Sequence, residues 1–275
     1  MLSRISATTR RVLLVALFVV SIAAMSFAQR GWRRQQMIDP EMVDRNGVPE
    51  WENDKEFKND VFTFVRIRYT SEWYNRWLTD FPDSDLNFSY RLHELTSLNV
   101  DPRSKILELT DERLFDYPFI YIIEPGTMML TEPEVAGLRR YLLNGGFLMV
   151  DDFWGEDEWY GFYRNIKRVF PDREPVELPL DHEIFHCVYD LKQKPQIPSI
   201  HAWYGGRTFE RWDAQEPHYR ALFDDKGRMM AIICHNTDLG DGWEREGEDP
   251  RYFREMSEKW AYPLGINIVT YAMTH

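Results

Sequence analysis

Asp151 and Asp152 end an apolar run, Phe147–Val150, that follows two glycines, and this carboxylate pair is the first place to look for chemistry. Two adjacent aspartates offer acid and base work, or hard oxygen ligands for a divalent cation. In an open α/β sheet, ligands gather in the crevice beyond the carboxyl ends of the strands, so the pair has a place as well as a chemistry. Successive strand residues point to opposite faces, so only one of the two enters a crevice unless the chain has already turned. The plainer reading is that Asp152 caps the following helix or accepts from loop amides. A second polar cluster, His235-Asn236-Thr237-Asp238, ends another apolar run, Met229–Cys234. If the two runs lie near each other as strands, Asp151, Asp152, Asn236 and Asp238 converge; loop capping is the alternative.

Other residues compete for attention. His182-Glu183-Ile184-Phe185-His186 spells H-E-x-x-H, in which two histidines one helical turn apart bind zinc and the glutamate acts as base. Pro179 leaves little helix before His182, and no marked third ligand follows, although Glu210 is the obvious candidate; the alternative is a turn that merely matches the motif. His182 and His186 are therefore weak metal candidates, and no metal or other cofactor is assigned. Cys234 ends a strand, but the glycines of a nucleophile elbow are absent around it, which favours a core thiol. Cys187 and Cys234 are the only cysteines; in an oxidising compartment they can pair, and two free buried thiols are the equal alternative. Ten tryptophans are many for this length, and Trp154, Trp159, Trp203, Trp212 and Trp243 fall near the expected crevice, where aromatic faces beside carboxylates suit sugar rings.

These residues sit on a chain of 275 residues, 44% hydrophobic and 15% aromatic, enough for one sizeable core. Arg4, Arg10 and Arg11 precede an apolar run, Val12 to Ala24, and Ser26-Phe27-Ala28 has the small residues of a cleavage site, so residues 1–28 read as a signal peptide. An uncleaved membrane anchor is the alternative, because the run is just short of spanning length. The net charge is −12, and the first 28 residues hold three arginines and no acid, so the remainder is more acidic still. Such a charge opposes binding to nucleic acid and to anionic membrane surfaces.

Residues 29–59, broken by Pro40, Asn46-Gly47 and Pro49, read as a polar tether or surface arm before a domain at 60–275. Within that domain FTFVRIRY gives a first strand, with Arg66 and Arg68 on one face, and Leu86–Leu98 a helix capped by Ser84 or Asp85. Lys105–Leu109 and Tyr117–Glu124 are strands, the second apolar enough to be buried on both faces. Thr131-Glu132-Pro133-Glu134 is a capping box opening a helix that ends at Gly145-Gly146. Phe147–Asp151 is the next strand, and Trp159 to Phe170 mark another helix. Tyr219–Cys234 reads as a hairpin about Asp224-Asp225-Lys226-Gly227, and Ser257–Met273 as a terminal helix interrupted near Pro263 and Gly265. Residues 171–216 carry no period. Alternating strands and helices predict an α/β domain with a mainly parallel sheet and an antiparallel edge hairpin.

The segments FVRIRY, DYPFIYIIEPG, LRRYLLNGGFLMVDDFW, FPDREPVELPLDHEIF and LGINIVTYAM, taken in order, resemble the bacterial domain-of-unknown-function 4159 family over about Asp60–His275. The helix-Gly-Gly-strand unit is more distantly similar to the class I glutamine amidotransferase-like fold, especially its trehalose-utilisation (ThuA-like) branch. The resemblance implies a flavodoxin-like three-layer sandwich in an exported, periplasmic or extracellular protein, and brings no activity with it. Where amidotransferases carry their nucleophilic cysteine, this chain has Asp151-Asp152-Phe153, so amidotransferase catalysis is not expected. The leading expectation is a binding protein whose crevice, lined by Asp151, Asp152, Trp154, His182, Asn236 and Asp238, takes a carbohydrate or cell-envelope component. A hydrolase, with or without a metal ion, using Asp151, Asp152 and His182 is the second, and an accessory protein acting through its surface the third.

Overall fold

The structure is a computed structural model that describes residues 40–53, 56, 60–71 and 75–275; the expected signal segment 1–28 lies outside the described residues. The chain divides into two compact units, Met1–Val43 and Asp44–His275. Of the first, only a single 3-10 turn at Pro40–Met42 is described. Among the described residues, all the strands lie in the second. Part of the expected arm lies on its surface, where the Trp51 indole donates to the Val100 carbonyl at 2.7 Å and stacks on His93.

Among the described residues seven strands form one sheet: β1 (Val65–Ile67), β2 (Lys105–Leu107), β3 (Phe119–Ile123), β4 (Phe147–Asp151), β5 (Val176–Glu177), β6 (His218–Phe223) and β7 (Met229–His235), in the order β2-β1-β3-β4-β7-β6-β5. β2, β1, β3, β4 and β7 are parallel, whereas β6 runs antiparallel to β7 and to β5. The expected mainly parallel sheet with an antiparallel edge hairpin is therefore what the chain forms. Every residue of β3 and β4 is buried, because helices cover both faces. Phe119, Tyr121 and Ile123 join the core that includes Phe88, Trp243, Ile266 and Val269, while Ile120 and Ile122 point to the other face.

On that other face lie α2 (Glu132–Leu143) and α3 (Gly155–Val169), packed against each other. The capping box of α2 closes in both directions: Glu134 N–H donates to Thr131 Oγ1 at 3.4 Å, and Thr131 N–H to Glu134 Oε2 at 2.7 Å. The first face carries α1 (Asp83–Leu95), the short α5 (Leu239–Glu244) and the terminal α6 (Tyr262–Thr274), with the short α4 (Ile200–Tyr204) before the hairpin.

Two helices differ from their sequence expectation. α1 begins at Asp83 without a side-chain cap, because Ser84 and Asp85 turn inward to a buried arginine. The terminal helix is not interrupted at Pro263: the chain is helical from Pro250, passes through a π-helical stretch, Phe253–Ala261, and enters α6 with Pro263 in its first turn. A proline lacks the N–H of the ordinary ladder, and the wider π turn falls where that bond would be missed.

Candidate functional site at the carboxyl end of the sheet

The strand order reverses between β1 and β3, since the chain moves outward from β1 to β2 and returns to β3 on the other side. In open α/β sheets a switch point of this kind is where ligands bind, beyond the carboxyl ends of the strands. Around it, the first residue after each of three parallel strands takes a left-handed backbone: Glu124 after β3 (φ 47°), Asp152 after β4 (φ 54°) and Asn236 after β7 (φ 61°). Asp80, in the loop after β1, does the same at φ 61°. Left-handed residues other than glycine are uncommon and gather where geometry serves a purpose. At Asp152 the turn lifts the alternation that would have sent Asp151 and Asp152 to opposite faces.

Asp151 is wholly buried; its Oδ2 accepts from Tyr121 Oη at 3.1 Å and from the Gly240 N–H at 3.0 Å, and its Oδ1 has no hydrogen-bond partner. Burial pushes its carboxyl up to about 7, against the pull of the Gly240 and Tyr121 hydrogen bonds. Asp152 Oδ1 accepts from the Trp154 indole at 2.9 Å. Asp238 caps α5, accepting from the Asp241 N–H at 2.7 Å. Asp80, Asp152 and Asp238 each bring a carboxylate oxygen within 4.8 Å of the others, and Asp80, Asp241 and Glu244 form a second such trio. The Asp80, Asp152 and Asp238 carboxyls are all held well above the usual range, by burial first and then by their acidic neighbours.

The loop bearing Asp80 is held from below. Arg66, fully buried on β1, pairs with Asp85 and sends Nη1 to the carbonyls of Trp77 and Thr79 at 2.9 and 2.8 Å. From above, Glu124 takes Arg76 at 2.5 Å and Thr79 Oγ1 at 2.9 Å, tying the loop after β1 to the loop after β3. Gly240 completes the fit: a Cβ there would meet Asp80 Oδ2 at 2.6 Å and Tyr121 Oη at 3.1 Å.

The sequence-derived residues fare differently. Asp151, Asp152 and Asp238 come together at these neighbouring strand ends. Asn236 is nearby but spent on bracing, accepting from Gly155 N–H and donating to Glu216 O, both at 2.9 Å. Trp154 is 3% exposed, so it holds Asp152 rather than offering a ring face. Trp243 is buried in the core, while Trp159 and Trp203 lie beneath Arg220 and Arg251. Only Trp212 among the five is widely exposed, at 75%.

His182 lies at the opposite end of the sheet. Its ring is 5.8 Å from Tyr271, which is 6.4 Å from Phe147, the first residue of the strand that Asp151 ends. Five strand residues span about 13 Å. The crevice lining expected of His182 is thus corrected. Nor does the H-E-x-x-H segment form a metal site: Glu183–Phe185 is a 3-10 turn, His182 Nδ1 accepts from Ile184 N–H at 3.2 Å, and both nitrogens of His186 are engaged, by Asp190 and the Leu180 carbonyl. Cys187 and Cys234 are both free; the Cys187 thiol donates to the Asn267 carbonyl, and burial raises the Cys234 thiol far above its ordinary value. Asp80, Asp241 and Glu244 escaped the sequence reading. Asp80 has no motif around it, and the other two lie in the acidic, glycine-punctuated stretch Asp238–Asp249, which by its glycines reads as a loop but whose Leu239–Glu244 part folds as α5.

The strand ends supply clustered carboxylate acceptors, and their one nearby thiol, Cys234, is buried. Among the described residues no helix is long and apolar enough to cross a membrane. No curated protein matches this sequence. A family model described as "Domain of unknown function (DUF4159)" matches residues 63–273, which takes in the whole sheet and every crevice residue named above, and the chain belongs to that family.

Proposed function

We propose that this is an exported protein that binds a neutral, polyhydroxylated ligand, a carbohydrate or cell-envelope component, in the crevice at the carboxyl end of its sheet, and that it has no amidotransferase activity. The observation that carries this reading is the convergence of Asp80, Asp152 and Asp238 at the switch point. Carboxylates accept hydrogen bonds from vicinal hydroxyls, whereas the same charge repels phosphates and nucleic acid. The distant amidotransferase likeness fits the strand order, and the aspartates at 151 and 152 remove the thiol that such chemistry needs. The residues 4–28 support export by their charge and apolar pattern.

Hydrolysis is a second reading, favoured by three carboxylates close enough to share a proton or hold a water-activating ion. Calorimetric titration of the full chain with neutral oligosaccharides and with soluble peptidoglycan fragments tests the first. Binding that Asp152→Asn weakens at least tenfold is expected; no binding by either class, or equal binding by the variant, overturns it. Release of reducing ends from the same probes would establish the second reading instead.

A further inference from the structure

We propose that Asp80, Asp152 and Asp238 form a binding site for a hard divalent cation of the calcium class. Two oxygens on one calcium ion lie at most about twice the bond length apart, and bonds of roughly 2.3–2.6 Å allow separations near 5 Å. The three carboxylates offer oxygens within 4.8 Å of one another, which suits that span. An all-oxygen, all-carboxylate set selects calcium, magnesium or manganese over zinc or copper.

A second observation points the same way: Asp151, outside the trio and wholly buried next to Asp152 in the chain, has an Oδ1 that meets no donor. Asp80 Oδ2 is a buried oxygen that meets no donor, and it lies where the α5 entry at Gly240 has no side chain to displace it. A buried carboxylate oxygen without a donor is costly, and either a proton or a cation must satisfy it. The nearby guanidinium groups are committed elsewhere: Arg66 to Asp85, Arg76 to Glu124, and Arg245 to Asp241 and Glu244. Arg245 also settles which trio takes the ion. It already neutralises Asp241 and Glu244, and Asp241 Oδ2 accepts from the Ile200 N–H at 2.6 Å, whereas no cationic side chain is paired with Asp152 or Asp238 among the described residues.

This site deepens the ligand reading, since three carboxylates leave coordination positions open for vicinal hydroxyls. Its test needs no sugar, so its failure and that of the ligand reading are separable. The full chain, stripped with a chelator and exchanged into buffer, is titrated with calcium chloride by calorimetry, and in parallel with terbium, whose emission is excited through nearby tryptophan and displaced by calcium. One strong site per chain is expected, weakened at least tenfold in Asp80→Asn and in Asp152→Asn and unchanged in Glu108→Gln, which lies on the β2 edge. Gly240→Ala provides the check if the aspartate variants fold poorly: its methyl group moves Asp80 Oδ2, and calcium affinity falls while every carboxylate remains. The absence of calcium binding by the wild-type chain overturns the proposal. So does wild-type affinity in both Asp80→Asn and Gly240→Ala, which would mean that a shared proton, rather than a cation, satisfies the cluster.

Discussion

Replacing Arg66 by methionine removes a side chain with no solvent exposure and leaves the Asp85 carboxylate equally buried without its partner. The lost contacts are Nε to both Asp85 oxygens at 3.1 and 3.2 Å, Nη2 to Asp85 Oδ1 at 2.5 Å and to Ser84 Oγ at 2.9 Å, and Nη1 to the carbonyls of Trp77 and Thr79. Breaking a buried pair from one side costs about 3–5 kcal/mol, which for a unit of this size lowers the melting temperature by on the order of 10 °C. Guanidinium denaturation of Arg66→Met measures that loss. Adding Asp85→Leu removes the stranded charge, and replacement of a buried ion pair by apolar groups is close to neutral, so the double variant regains most of the stability. It does not regain the donors to Trp77 and Thr79, so the loop carrying Asp80 stays unfastened and calcium affinity remains low while stability recovers. A midpoint for Arg66→Met within about 1 kcal/mol of wild type would refute the reasoning, because buried charges of this kind are never that cheap to strand.

Two further outcomes follow from contacts near the crevice. His235, 1% exposed, takes Arg220 Nη1 on Nδ1 and donates Nε2–H to the Gly155 carbonyl, and burial lowers its pKa to about 3. Its folded value lies below the unfolded value, so the unfolded chain takes up the proton first and stability falls as pH drops from about 6.5 toward 3; between pH 7 and 5 the wild type is expected to lose about 2 kcal/mol more than His235→Gln in urea melts. At Gly161, on α3, an added Cβ would lie 1.9 Å from the Gly126 carbonyl oxygen, a backbone atom that cannot step aside. Gly161→Ala is therefore expected to cost about 1–3 kcal/mol in the same assay.

What could be read from the residues follows the range of the forces involved. The Thr131 capping box and the hairpin about Asp224–Gly227 were legible, because the bonds that make them lie within four residues. The mainly parallel sheet followed from alternating apolar runs. Asp151, Asp152 and Asp238 were found as strand-end polar residues, yet Asp80 was not, because its position depends on Arg66 reaching the Trp77 and Thr79 carbonyls from within β1. The same arginine drew Ser84 and Asp85 away from the helix cap expected of them. His182 was misplaced for a different reason: residues 171–216 have no hydrophobic period, and only tertiary packing on Tyr271 fixes which end of the sheet His182 reaches.

The left-handed backbone at Glu124, Asp152 and Asn236 bears on how this protein would respond to mutation. Glycine adopts such a conformation without the Cβ penalty of roughly 1 kcal/mol or more. A library selected for folding alone would therefore drift toward glycine at all three, most readily at Glu124, because glutamate lacks the short side chain that lets asparagine and aspartate tolerate it. A library selected for ligand or cation retention would keep Asp152. The two screens should disagree most sharply at these strand ends, and the size of that disagreement at each position measures how much stability the crevice gives up to keep its polar side chains in place.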